Sequence, residues 1–421
     1  MRDHSKHIQI SREEATAKLL ASSSFDQRAE MVPIGESFGR TLAEDVRARE
    51  DMPTVLTCRL DSIAVHWSDF ENGMPDTSNW VRGVDWQFAN TGVAMPEGFD
   101  TAIVIEHVIV SDDEQHVEVT AAPSERFAGT SAPGSKLKAG ELLGFAGQTV
   151  TPDIAARIAS GNIAAVPVRC KPRVAFIPTG DELVAPGGAH VPAAKNIETN
   201  SLLVRGKVQA WGGQFIPFDV VPDDPDAIID AVKRACAMAD IVVLNAGSSK
   251  GSEDWSVEQL EEIGTILYHQ TNHGPGHHSS AAVVDGTPVV GISGPPAGAS
   301  FTLNFYLQPL MMKCLGLDPE PFRVPVRLTA PFPAGHSTPA HDGKRTFAGE
   351  ERPPEAVDGS QFFKVRMVEV EMQEDGTLAG TPVAGKPGSP ATANANALYM
   401  LESGTTAPKL NAGDVIWVEM R

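Results

Sequence analysis

Residues 173–188 read RVAFIPTGDELVAPGG, and the fold turns on how that stretch is read. Residues 173–177 form a mostly apolar run, as expected of a strand buried on both faces. The loop PTGDE then stops it with Pro178, Gly180 and two acids. Downstream, residues 200–211 read as a helix stopped by Gly212 and Gly213, and 215–221 as a strand. Asp224 followed by Pro225 is a cap and first-turn signal for a helix through Met238. A strand at 240–244 ends in NAGSSKGSED, and a short helix covers 255–263. A strand at 288–292 leads through SGPPAGAS into a helix at 301–315. Strand–helix alternation over about 150 residues predicts a doubly wound, mostly parallel sheet, an α/β domain. Ligands of such sheets sit outside the carboxyl ends of the strands.

The flanks have a different texture. Ser11 and Glu14 form a capping box that starts an N-terminal helix. Residues 52–150 break short β-rich runs with Gly, Pro, Asn and Asp, which reads as an all-β module. Residues 153–160 are helical again and end at Gly161; packing of this helix on the N-terminal one would make the β module an insertion. Residues 318–325 hold three prolines and read as a linker. Beyond it, FFKVRMVEVEM and DVIWVEM are strands of a small C-terminal β module.

The chain has 421 residues, enough for about two to four domains. Thirty-four Lys and Arg against 54 Asp and Glu give a net charge of −20, which argues against nucleic acid and anionic membrane surfaces as partners. An anionic substrate must therefore be attracted locally. Cys58, Cys170, Cys236 and Cys314 make no Cys-x-x-Cys pair and fit a reducing compartment. The N-terminus lacks a signal-peptide core, and no apolar run approaches the roughly 20 residues of a membrane span. These features predict a cytoplasmic protein.

Three loops fall at the expected strand ends. In the first, Thr179 and Gly180 permit close approach of a ligand, and Asp181 and Glu182 offer oxygen ligands for Mg²⁺; a plain polar turn is the alternative. In the second, Gly247, Ser248, Ser249, Lys250 and Gly251, followed by a helix start, suit a phosphate or oxyanion, although the Walker spacing is missing. In the third, Gly294 and Ser300 bracket a helix start whose two prolines remove two donors. His269, His273, His277 and His278 cluster between the last two strands. Gly274-Pro275-Gly276 prevents a helical pair there, so donation to an anion is favoured over metal binding.

Taken in order, these loops resemble the molybdopterin molybdenumtransferases, the MoeA family that includes the gephyrin E-domain. PTGDELVAPG is similar to that family's Thr-Gly-Asp-Glu-Leu segment, and IETNSLLVRGKVQAWGG to its Asp/Glu-Ser-Asn helix start. ANTGVAMPEGFDTAIVIEH and GSPATANANALYMLESGTTAPKLNAGDVIWVEM resemble its β-domain signature and its C-terminal module. The resemblance implies four domains: a discontinuous helical domain (1–46 with 147–171), an inserted β domain (47–146), an α/β molybdopterin-binding domain (172–322) and a barrel-like C-terminal β domain (323–421). It further implies a homodimer whose active site draws on both subunits. The reaction implied is Mg²⁺-dependent insertion of molybdate, or tungstate, into adenylylated molybdopterin with release of AMP. A molybdopterin adenylyltransferase and client molybdoenzymes are the implied partners.

Matched residue by residue, the resemblance makes Asp61, Glu182 and Asp254 catalytic and Asp181 and Glu182 metal-binding. Thr91 and Glu106 fall in the matching β-domain segment. The substrate-binding set is Thr179, Gly180, Gly247, Ser248, Ser249, Lys250, Gly251, His277, Gly294, Ser300 and Thr91. Several positions depart from the family pattern. Leu60-Asp61-Ser62-Ile63-Ala64 replaces Met-Asp-Gly-Tyr-Ala, and Asn245 through Gly251 replaces Ser-Gly-Gly-Val-Ser-Val-Gly. Gly274-Pro275-Gly276-His277-His278 replaces Lys-Pro-Gly-Lys-Pro, and Ile292-Ser293-Gly294-Pro295-Pro296 replaces Leu-Pro-Gly-Asn-Pro. Lys250, with His277 and His278, is expected to restore positive charge. A non-catalytic carrier or chaperone of the cofactor is the alternative reading.

Overall fold

A computed structural model describes residues 10–245, 255–333, 362–403 and 409–421. The chain divides into two compact units, residues 29–169 and residues 1–28 with 170–421.

In the larger unit, helix α1 (Arg12–Ser22) starts where Ser11 Oγ accepts the Glu14 N–H at 3.1 Å. Strand β1 (Arg173–Pro178), helix α2 (Asn200–Ala210) and strand β2 (Gln214–Pro217) follow. Helix α3 (Pro225–Met238) is capped by Asp224, which accepts the Ala227 N–H, and leads to strand β3 (Ile241–Asn245). Next come α4 (Trp255–Ile263), β4 (Thr265–His269), β5 (His273–Gly274), β6 (Ser280–Val284) and β7 (Thr287–Ile292). Helix α5 (Pro296–Thr302) runs through a π-helical turn, Leu303–Leu307, into α6 (Gln308–Leu315), where Gly316 in the left-handed region ends it.

The sheet order is β2-β1-β3-β7-β6-β4. The first three pairings are parallel and the last two antiparallel. Alternate residues of β1 and β3 feed opposite cores. Val174, Phe176, Ile241 and Val243 pack with α2, α5 and α6, while Ala175, Ile177, Val242 and Leu244 pack with α3 and α4. This is the doubly wound, mostly parallel arrangement. Strands β4, β5 and β6 carried no clear period in the sequence. Residues 215–221, read as one strand, form a shorter one, and Val221 makes only an isolated bridge to Thr179.

Strands β8 (Arg323–Leu328), β9 (Phe362–Met372), β10 (Leu378–Val383), β11 (Ala397–Ser403) and β12 (Val415–Met420) close into a barrel in the order β9-β10-β8-β12-β11-β9. Strand β5 adds to it, His273 and Gly274 pairing in parallel with Phe363 and Lys364.

Helix α1 buries Ala15 and Leu19 in the same core as Leu310 and Met311 of α6. The expectation that it packs on the helix at Pro152–Ser160 is therefore corrected. An apolar stripe shows that a helix has a partner without showing which one. Arg12 anchors α1 at 2.8 Å to Glu419 of β12, with its guanidinium 3.9 Å from the centre of the Phe305 ring.

The 29–169 unit has its own layout. Ala29–Pro33 and Ala165–Arg169 form an antiparallel ribbon, and Val46–Arg47 pairs with Leu142–Gly144. Leu42, Ile158, Val166 and Val168 form one core around the helix at Pro152–Ser160. Between the Val46 and Gly144 pairing points lies a β module. Its central strand, Ser62–Val65, pairs with Trp86–Ala89 and Thr101–Val104 over a core containing Ile63, Val65 and Trp86.

Candidate functional site

Strand β1 is flanked by β2 on one side and β3 on the other, and the chain reverses its winding there. Such a switch point opens a crevice at the strand ends. Thr179 is buried just past β1, and its hydroxyl donates to the Asn245 carbonyl at the end of β3 at 2.6 Å. Asn245 is itself buried, and its Oδ1 accepts a hydrogen from Asn200 Nδ2 at 2.7 Å. The other Nδ2 hydrogen of Asn200 goes to the Gly294 carbonyl past β7, at 2.9 Å. Asn200, at the first turn of α2, thus ties two strand ends together. Asparagine is a usual helix cap, but here Glu198 does the capping: its carboxylate accepts from the Ser201 N–H and hydroxyl. Two buried atoms at these strand ends have no hydrogen-bond partner, Asn200 Oδ1 and Ser293 Oγ.

The histidine loop reaches the same place by close backbone approach. Gly276 has φ +105, and a Cβ there would lie 2.9 Å from Thr302 Oγ1 and 3.1 Å from the Gly298 carbonyl. A Cβ on Gly298 would lie 2.5 Å from Ser293 Oγ and 3.2 Å from the Gly276 nitrogen. Only glycines let the two loops touch in this way. His273 is fully buried, with Nε2 2.9 Å from the Tyr306 hydroxyl. Burial, aided by the Arg12 charge, lowers its pKa to about 3. Burial and the neighbouring His278, whose ring lies 3.8 Å away, lower that of His277 to about 4. At neutral pH His277 therefore offers a neutral imidazole. The expectation that it helps to restore positive charge is corrected, because desolvation outweighs the gain from protonation. His269 is buried, and His278 is exposed.

The acidic loop lies one residue beyond Thr179. Asp181 and Asp223 clasp each other: each N–H donates to the other's carboxylate, at 3.3 and 3.4 Å. The Glu182 carboxylate folds back over Gly180, where a Cβ would meet its Oε2 at 2.6 Å. Among the described residues no three His, Cys, Asp or Glu side chains converge as a metal cage. Mg²⁺ usually keeps several waters and takes one or two carboxylates plus substrate phosphate. Asp181 and Glu182 supply two neighbouring carboxylates in sequence at this strand end. Ser300 is buried within α5. Gly247, Ser248, Ser249, Lys250, Gly251 and Asp254 lie outside the described residues.

In the 29–169 unit, Asp61 and Thr91 meet. Asp61 Oδ1 accepts from the Thr91 N–H at 3.0 Å and from its hydroxyl at 3.1 Å. These bonds hold the exposed carboxyl below its usual pKa. Asp61 is thereby suited to act as a charged or orienting group and unsuited to act as a proton donor. Glu106 is exposed two residues beyond the paired strand ending at Val104.

Asn200, Asn245 and Ser293 were not among the residues singled out in the sequence. Asn200 closes the segment matched to the Asp/Glu-Ser-Asn helix start, and that position was the available signal.

No helix of the described residues is long and apolar enough to cross a membrane. Residues 10–161 match the family model of the MoeA N-terminal region (domain I and II), and residues 175–313 that of a probable molybdopterin binding domain. A molybdopterin molybdenumtransferase from Nostoc is 28% identical over 341 residues, 76% of each chain. One from Staphylococcus epidermidis is 26% identical over 302 residues, 68% of this chain and 71% of the relative. The structure is similar to that of a molybdopterin biosynthesis MoeA protein from Pyrococcus horikoshii, with TM-score 0.67, 21% identity, and coverage of 98% of this chain and all of the other. With both sequence models falling in order on a fold that matches end to end, the chain belongs to the MoeA family.

Proposed function

We propose that the protein inserts molybdate, or tungstate, into adenylylated molybdopterin and releases AMP, as a step of molybdenum cofactor biosynthesis. One observation carries the reading: three strand ends meet at the winding reversal, tied together through Thr179, Asn200 and Asn245 beside Ser293, in the segment matched to a molybdopterin binding domain. The polar, largely uncharged wall suits a flat polar ring more than a bare phosphate. Asp181 and Glu182 would hold Mg²⁺, which when bound neutralises phosphate charge. His277 supplies a neutral hydrogen bond to an anion, and Thr179 keeps the β1 and β3 ends in register. Asp61, ionised and oriented by Thr91, is assigned to the reaction from a second copy of the chain in a homodimer.

A second reading is a carrier that binds the cofactor without turnover. The neutral His277 favours it, since the family loop has lysine at the matching place. A single-turnover assay separates the two. Protein mixed with adenylylated molybdopterin, Mg²⁺ and molybdate should release AMP, and Asp61→Ala should not. Tight binding of the pterin with no AMP release would establish the carrier and remove the insertase reading.

A further inference from the structure

The Asn200 amide has an unused half. The group 2.9 Å from the Gly294 carbonyl must be its nitrogen, because a carbonyl can only accept. The second hydrogen on that nitrogen goes to Asn245 Oδ1. A planar amide with both hydrogens engaged has a fixed direction for its oxygen. That oxygen is buried, in a residue only 3% exposed, and accepts nothing. Helix capping does not claim it, because Glu198 fills that role. A buried acceptor without a donor is costly, and a bound ligand is one way to supply the donor.

We propose that Asn200 Oδ1 is the ring-reading acceptor of the crevice and takes an N–H from the 2-amino group of a bound pterin. This rests on the pterin reading of the site above. The chemistry selects a donor-bearing edge: an exocyclic amine completes the acceptor, whereas a carbonyl in its place sets two lone pairs against each other. Asn245 is the positioning residue. It stands where the family pattern has serine, and it holds the Asn200 nitrogen so that the oxygen cannot swing away.

The test compares two rings of nearly the same shape. The first, 6-hydroxymethylpterin, carries the 2-amino group; the second, 6-hydroxymethyllumazine, carries an oxygen there. Binding to the full chain is read by ligand fluorescence. Wild-type protein should prefer the pterin by about 5- to 150-fold, the range for leaving one buried acceptor unpaired. Asn200→Leu should weaken the pterin by a similar factor and leave lumazine almost unchanged, removing the preference. The wild-type comparison stands without any variant, so a poorly folded Asn200→Leu protein would not blunt it. Equal binding of the two rings by wild type would overturn the assignment of Asn200 while leaving the pterin site intact. Binding of neither ring would overturn the pterin reading itself. A preference that survives in well-folded Asn200→Leu would place the ring-reading group elsewhere.

Discussion

Mild acid should weaken the α/β–barrel unit well before carboxylates protonate. His273 has an ordinary pKa near 6.5 when unfolded and about 3 in the fold. The folded state therefore binds fewer protons, and the stability present above pH 6.5 falls away as the pH drops toward 3. Each unit below 6.5 costs 1.36 kcal/mol per such group. Between pH 7 and pH 5 the interval that counts is 1.5 units, so His273 accounts for about 2 kcal/mol. His277, at about 4 and partly exposed, adds a smaller share in the same direction. Urea denaturation of wild type and His273→Gln at the two pH values measures the effect. Glutamine keeps an acceptor for the Tyr306 hydroxyl and cannot titrate. The variant should be about 2 kcal/mol less sensitive to the pH change than wild type. Parallel pH profiles of the two proteins would refute the claim that burial keeps His273 neutral.

Two further outcomes follow from the contacts. Gly298→Ala drives a methyl against Ser293 Oγ and the Gly276 backbone; a stability loss of about 1–3 kcal/mol and weaker pterin binding are expected, measurable by thermal melting and fluorescence titration. Arg12→Met removes one partner of Glu419 while Arg323 still holds it at 2.8 Å. That should cost about 1.5–3 kcal/mol by denaturation and, by removing a neighbouring cation, raise the His273 pKa in an NMR titration.

The readable part of the fold was local. The apolar run at 173–177, the Asp224-Pro225 cap and the Ser11–Glu14 box each act through neighbours in sequence, and each lies where the chemistry puts it. The partner of α1 was not legible, since Ala15 and Leu19 would suit any apolar face. Strand β5 was equally hidden: two residues beside a glycine–proline pair carry no period, and only pairing with β9 makes them a strand. In the site, Thr179 and Gly180 could be placed because they follow a strand. The His277 charge state could not, because it depends on burial by loops distant in sequence. Asn200 stood in the sequence only as the start of a helix, and its spare oxygen becomes visible only once Glu198 is seen to accept from the first turn.

The pairing of β5 with β9 also sets an order of events during synthesis. His273 finds its strand partner, Phe363, about 90 residues later in the chain, and β9 is itself held by β11, ending at Ser403. While the ribosome is still making that stretch, the α/β sheet has every strand it needs, yet the loop carrying His277 has no barrel edge to lie against. The growing chain therefore passes through an interval with a sheet but no finished crevice. Completion of the site arrives with the last strands, so a prematurely released chain would carry the sheet without the barrel edge that the His277 loop lies against.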